Sequence, residues 1–397
     1  VATKLVAGHP NLAGLPSSVP FLVLFAVLLS SRRGRFVEVV DEQRSLRLPG
    51  LALSRPFPGK AMLVTAAVAV AIVPRFNDSQ ILSATTTAAF VLVFASLGLL
   101  VGQARLVSLC QAAFVALGAT TLAHLLSAGV PYLPALLLAG LVVAPLGALL
   151  AVPAVRLPGL FLAVATFGFG VLAQDLVFPT GFAFGSRSLA QVPRPAGFTG
   201  ETAFFVFTLI VVVAGIAAVE WLRTGRLGTV LQALADSPAG VESIGVNPTA
   251  SRVLVFTASA FLAAIAGGLL GSVTQTVSPA TFTATDSLVW LAVLVAAGPT
   301  SFSGAVLAGL LYNQLPALVS SSTILDWLPV GFGVAAVVLA QTPDGLSGLL
   351  HLDFARLAAT SRHRLSRSPH RDRRTALGRL SAGSGPSADQ LPTVGAV

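Results

Sequence analysis

Side chains able to do chemistry are few in this sequence, and their spacing closes off most kinds of it. Only two lysines occur, Lys4 and Lys60. Neither stands in a G-x-x-x-x-G-K-[ST] segment, so the chain has no phosphate-cradling loop of its own for ATP. The histidines, His9, His124, His351, His363 and His370, show no H-E-x-x-H or other paired spacing that would hold a hydrolytic metal. One cysteine, Cys110, excludes an intramolecular disulfide and a cysteine-rich metal site. Gly168-Phe169-Gly170 and Gly331-Phe332-Gly333 lack the strand-turn-helix setting of a dinucleotide fingerprint and read as small residues at close helix contacts. No catalytic residue, cofactor or metal is therefore expected.

Transport chemistry needs different groups. A carboxylate at mid-bilayer costs several kcal/mol unless it couples to an ion or finds a partner. Asp175, Glu220, Asp286 and Asp326 all fall near the ends of apolar runs, and no run has an acid at its middle. Energy for transport would come from elsewhere, or the protein would be a passive pore.

The segment Val107 to Thr120 is polar for a span. Ser108, Gln111 and Phe114 there, with Thr166 in the next small-residue face, are candidates for a solute path. Gln111 both donates and accepts, which suits a zwitterionic or amide solute. The same groups would equally serve as helix-to-helix hydrogen bonds worth ~0.6 kcal/mol each. His124, further along, reads as a packed core histidine.

A second candidate is the stretch from Leu222 to Arg252, the longest patterned connection between apolar segments. Leu227, Val230, Leu231 and Leu234 recur at helical spacing, and Asp236-Ser237-Pro238 breaks the pattern. Ala239, Val241 and Ile244 begin a second short face, closed by Gly245 and Asn247-Pro248. Two short helices at a break make a knob able to dock into a groove on a soluble partner. The alternative is a helix lying on lipid. Asp236 and Glu242 between Arg226 and Arg252 leave the polar face only weakly basic, which favours the partner.

These groups must be positioned by membrane-spanning helices. Hydrophobic residues make up 55% of the chain and charged residues 10%, against about 25% charged in soluble domains. Dyad alternation of a β-barrel is absent. Apolar runs at 61–74, 81–101, 106–128, 132–154, 157–178, 203–222, 253–275, 286–299, 303–320 and 324–340 predict about ten spans. Those at 61–74 and 286–299 are short enough to be tilted, broken or re-entrant.

Net charge is +9, concentrated before the first span and after the last. With the block at 30–60 placed in the cytoplasm, Arg105, Arg156, Arg223, Arg226 and Arg252 fall on that side too. Both ends of the bundle, and the 222–252 loop, should then be cytoplasmic. The basic tail marks topology rather than nucleic-acid binding.

The expected organisation starts with the last span of something upstream at 1–35, since Val19 to Leu29 is apolar and ends in SSRRGRF. A cytoplasmic basic linker follows at 36–60, the transmembrane domain at 61–350, and a basic, disordered cytoplasmic tail at 351–397.

In five ordered blocks the chain resembles the permease subunits of branched-chain amino acid ABC importers, of the LivM type. The blocks are SLCQAAFVALGA, RLPGLFLAVATFGFG, RLGTVLQALADSPAGVESIGVN, AAIAGGLLG with SPATF, and QTPDGLSG, over about 61–350. The N-terminal VPFLVLFAVLLSSRRGRF resembles the end of a LivH-type permease, as a fusion would leave it. The resemblance implies an all-α polytopic transmembrane bundle with one extra N-terminal helix, in a bacterial inner membrane, without enzymatic activity. It implies two ATP-binding cassette subunits, a LivH-like permease, an extracytoplasmic solute-binding protein and membrane lipid as partners, with no nucleic acid. The coupling region contacting the ATPases would comprise Arg226, Gly228, Leu231, Leu234, Asp236, Glu242 and Gly245. Cys110 stands where the family usually has Gly, and Phe161 where Tyr is common. Related permeases carry urea, short amides or sugars, and an ion-coupled or passive transporter is the alternative.

Overall fold

The computed structural model describes residues 66–67, 69–71, 75–154, 159–180, 183–184, 190–236, 241, 245–299, 301–318 and 322–339. The chain divides into two units, Val1–Leu349 and Leu350–Val397, the second wholly outside the described residues. The expected N-terminal helix, basic linker and basic tail also lie outside them.

The described helices follow the apolar runs closely. They are α1 (Asp78–Gly98), α2 (Gln111–Ser127), α3 (Tyr132–Ala154), α4 (Gly159–Leu172) and α5 (Glu201–Thr224). There follow α6 (Arg226–Asp236), α7 (Pro248–Thr274), α8 (Ala284–Ala297), α9 (Phe302–Leu318) and α10 (Ser322–Leu339). Two residue pairs, β1 (Ala190–Gln191) and β2 (Thr276–Val277), join antiparallel, Ala190 opposite Val277. Among the described residues, five helices are long and apolar enough to cross a membrane. The protein is an all-α helical bundle, largely embedded in the bilayer.

Helix ends obey local chemistry. Asn247 caps α7, its side chain accepting from the amides of Thr249 and Ala250 at 3.0 and 3.3 Å, with Pro248 in the first turn where its missing N–H does no harm. At α8, Asp286 accepts from the backbone N–H and the hydroxyl of Thr283, at 2.7 and 2.9 Å. That carboxylate therefore has a capping job.

The start of one expected span is not helical, and the same pattern recurs later in the chain. The run 106–128 is helical only from Gln111. A π-turn, Leu99–Gln103, ends α1, Arg105 adopts φ 51°, and the chain stays non-helical to Cys110. Likewise α7 ends at Gln275, φ 59°, and no α-helix forms again until Ala284. The sequence long helix, non-helical stretch, shorter helix, return helix thus occurs twice, at 78–154 and 248–318. In each copy the long helix packs on the return helix of the other, α1 on α9 and α7 on α3.

The core is built around α1 and α7. Along α2, Gly118 meets the backbone of Ala264 and Gly267 meets that of Val115, so closely that neither position has space for a Cβ. Small residues permit this approach where apolar lipid offers no hydrophobic drive for association. On its other side α7 meets α3, with Tyr132 and Ser272 hydroxyls 2.7 Å apart. Phe90 of α1 packs edge-on to Trp290 of α8 and Tyr312 of α9, ring centroids 5.6 and 4.7 Å away. Gly170 lies against Leu109 and Ala284, the close contact expected of it, whereas Gly331 and Gly333 have open space around them.

Candidate functional site

Gln111, Ser108, Phe114 and Thr166 converge where α2 begins. All four are fully buried. The stretch 104–110 brings backbone N–H groups without helical partners into the bundle, and such groups need acceptors where water is excluded. Thr166 supplies one: its Oγ1 accepts from the Leu109 N–H at 2.9 Å while donating to Ala163 O at 3.0 Å. Ser287, in the first turn of α8, accepts from the Ala112 N–H at 3.0 Å. The Ser108 hydroxyl lies 3.2 Å from the Cys110 sulfur.

Gln111 ties three helices together. Its Nε2 donates to Ser96 of α1 at 2.6 Å and to Ser259 of α7 at 3.3 Å. Ser259 in turn donates to the Ser96 carbonyl at 2.7 Å. The Gln111 Oε1 atom has no partner. Phe114 closes the cluster against Phe169 and Phe256, centroids 6.1 and 6.2 Å away. Ser96, Ser259 and Ser287 were missed in the sequence because a lone serine in an apolar run carries no local signal. The geometry gives the whole cluster a bonding role at the helix break.

The second candidate, α6, folds back on the end of the bundle and packs against α5, α7 and the π-turn that ends α1. Leu231 and Leu234 are buried there, and Leu227 and Val230 are half-buried. This apolar stripe packs on the protein's own helices, because an eleven-residue helix is marginal alone and needs an apolar face covered. Among the described side chains of this helix, Arg226, Thr229 and Ala233 are exposed. Gly228 is buried with no space for a Cβ, its Cα set against the Arg223 carbonyl, which fixes α6 at the end of α5. One helical turn before that, Glu220 pairs with Arg223 at 2.8 Å. Gly245 takes φ +81°, a conformation glycine adopts without strain. Asp236 is the last residue of α6, while its side chain, Glu242 and most of the second short helix expected at 239–244 lie outside the described residues.

His124 is exposed rather than packed in the core, with Nε2 3.1 Å from Ala183 O. At the same end, Arg194 holds Glu201 through two hydrogen bonds of 2.8 and 3.0 Å, and its guanidinium lies 4.9 Å from the Phe204 ring centre. This pair ties the 190–200 connection to the start of α5.

Two cavities border the same three helices. One, about 700 Å³, is walled by α1, α5 and α9 together with Ala66 and Ala69. The other, about 20 Å³, lies beside Glu220 and Arg223. None of Ser108, Gln111, Phe114 or Thr166 lines either.

A family model described as branched-chain amino acid transport system / permease component matches residues 81–338. The chain is 29% identical to the high-affinity branched-chain amino acid transport system permease protein LivM of Salmonella typhimurium, over 66% of this chain and 68% of that protein. It is 28% identical to LivM of Escherichia coli K12, with the same coverage. With the LivH permease of Salmonella typhimurium it shares 27% identity over 47% of this chain and 63% of that protein. No solved structure matches.

Proposed function

The chain belongs to the branched-chain amino acid transport permease family, and on that premise we propose that it is a membrane subunit of an ABC importer. It provides a path for branched-chain amino acids and is driven by two separate ATP-binding cassette subunits, with a LivH-like permease and an extracytoplasmic solute-binding protein as partners. It sits in a bacterial inner membrane with about ten spans and the α6 end of the bundle in the cytoplasm. The expected domain layout, with a permease-like segment preceding the bundle, belongs to this proposal.

The observation that supports it is α6. A short helix pinned by leucines to three bundle elements, and joined to α5 at a glycine contact, is placed to pass displacement into the membrane domain. In this reading Arg226, Thr229 and Ala233 meet the ATPase, while Gly228, Leu231 and Leu234 hold α6 to the bundle.

The test is uptake of L-leucine into proteoliposomes holding the complete importer, against this chain alone. Uptake that needs ATP and the partner subunits, and that stops when residues 228–245 are removed while the bundle still inserts, supports the proposal. Leucine accumulation by this chain alone under an ion gradient overturns it.

A further inference from the structure

The two cavities lie end to end. Ile216 of α5 and Phe302 of α9 belong to the walls of both, so these two side chains form the partition between them. Above it the larger cavity has two kinds of wall. Phe205, Leu209, Val212, Val306 and Leu310 make an apolar side. Opposite stand Ser79, Ser83 and Thr87, each four residues from the last and so stacked along one face of α1. Gln80 and Gln314 flank them.

These polar groups are bound to one another. Gln314 Nε2 donates to Thr87 Oγ1 at 2.9 Å, and Asn313 Nδ2 donates to the same oxygen at 2.8 Å. Thr87 donates to the Ser83 carbonyl at 2.8 Å. No charged residue lines this cavity among the described residues. Beside these bonds, Ser79, Gln80, Ser83 and Gln314 border the space itself, so it offers polar partners to water or to a solute. A volume of about 700 Å³ is that of a small-molecule site, which is mostly apolar with a few placed hydrogen bonders.

We infer that the α1–α5–α9 cavity is a solute vestibule within this single chain, taking a small zwitterion with an aliphatic side chain, and that Ile216 and Phe302 gate its cytoplasmic end. The solute class rests on the function proposed above. The aliphatic group lies on the α5 wall, and the dipolar head faces the α1 column. Below the gate, Glu220 and Arg223 border the smaller cavity. Ile216, Glu220 and Arg223 succeed one another on one face of α5, and the Arg223 carbonyl abuts Gly228 of α6. A displacement of α6 therefore reaches the gate through the last two turns of α5.

Cysteine labelling of the complete importer in right-side-out vesicles tests this. Cys110, the chain's single cysteine, is buried, giving a silent background. Ala84→Cys and Val213→Cys line the vestibule and remove no hydrogen bond. Both should react with a membrane-impermeant methanethiosulfonate, and L-leucine at about ten times its Kd should slow the reaction about tenfold, as occupancy requires. L-lysine should not protect. Leu137→Cys, on the exposed outer face of α3, should stay unreactive because it faces lipid. Ile216→Ala should raise leucine leak without ATP.

Unreactive vestibule cysteines, or labelling that leucine does not slow, in an importer that accumulates leucine would overturn the vestibule and leave the functional reading intact. An importer that accumulates no leucine would overturn that reading and the solute assigned here. The labelling of Ala84→Cys would still decide whether the cavity is aqueous.

Discussion

Removing the two leucines that hold α6 should separate ATP hydrolysis from transport without unfolding the bundle. Leu231 and Leu234 are 3% and 2% exposed, and both lie in the contact of α6 with α5, α7 and the π-turn. Fully burying a leucine contributes about 1.5–3 kcal/mol, so Leu231→Ala with Leu234→Ala should cost the docked helix about 3–6 kcal/mol. Each 1.4 kcal/mol is a tenfold change in population, so docking falls at least about a hundredfold. An eleven-residue helix freed from its support does not persist in water. Neither residue takes part in the backbone contacts of α2 with α7 at Gly118 and Gly267. In proteoliposomes holding the complete importer, leucine uptake should collapse while the ATPase retains its basal rate and the subunits still co-purify. An unchanged ratio of solute moved to ATP hydrolysed would refute the reasoning. Loss of the complex itself would show that the leucines bind the ATPase after all.

Thr166→Val keeps the shape and leaves the Leu109 N–H without an acceptor; it should cost about 1–3 kcal/mol in SDS unfolding titrations, with Ser287→Ala similar through Ala112. A cost below the ~0.6 kcal/mol typical of interhelical bonds in membranes would show that the break finds other acceptors. Gly267→Val should prevent accumulation of folded protein in the membrane, because the Val115 backbone occupies the space its side chain needs; normal levels by gel filtration in detergent would contradict this. Asn247→Ala should cost about 1 kcal/mol by loss of the α7 cap, and Asn247→Asp should restore most of it in the same titration.

Much of this fold is legible in the sequence because spans have long, local signals. The run at 203–222 becomes Glu201–Thr224, while the run at 253–275 begins earlier than expected, at Pro248. The polar character of Ser108 and Gln111 is equally plain, and so is the amphipathic pattern of α6. Which surface that pattern covers is not, since leucines at helical spacing look the same against a partner or against their own bundle. Nor does an apolar run disclose that residues 104–110 are non-helical: the side chain that accepts from the Leu109 N–H there, Thr166, lies on another helix. The α1–α5–α9 cavity is hidden for a related reason. Its walls come from helices far apart in sequence, and serine, threonine and alanine at each place are unremarkable alone.

The backbone contact of Gly118 with Ala264 and of Gly267 with Val115 also limits how the molecule can rearrange. With no side chains between them to slide or re-pack, α2 and α7 behave as one stiff keel, and α3 is moored to it through Tyr132 and Ser272. In the transport function proposed above, any rearrangement would then fall to the flanks, where α5 and α9 wall the larger cavity with α1. Half of the bundle would stay still so that the other half has something to swing against.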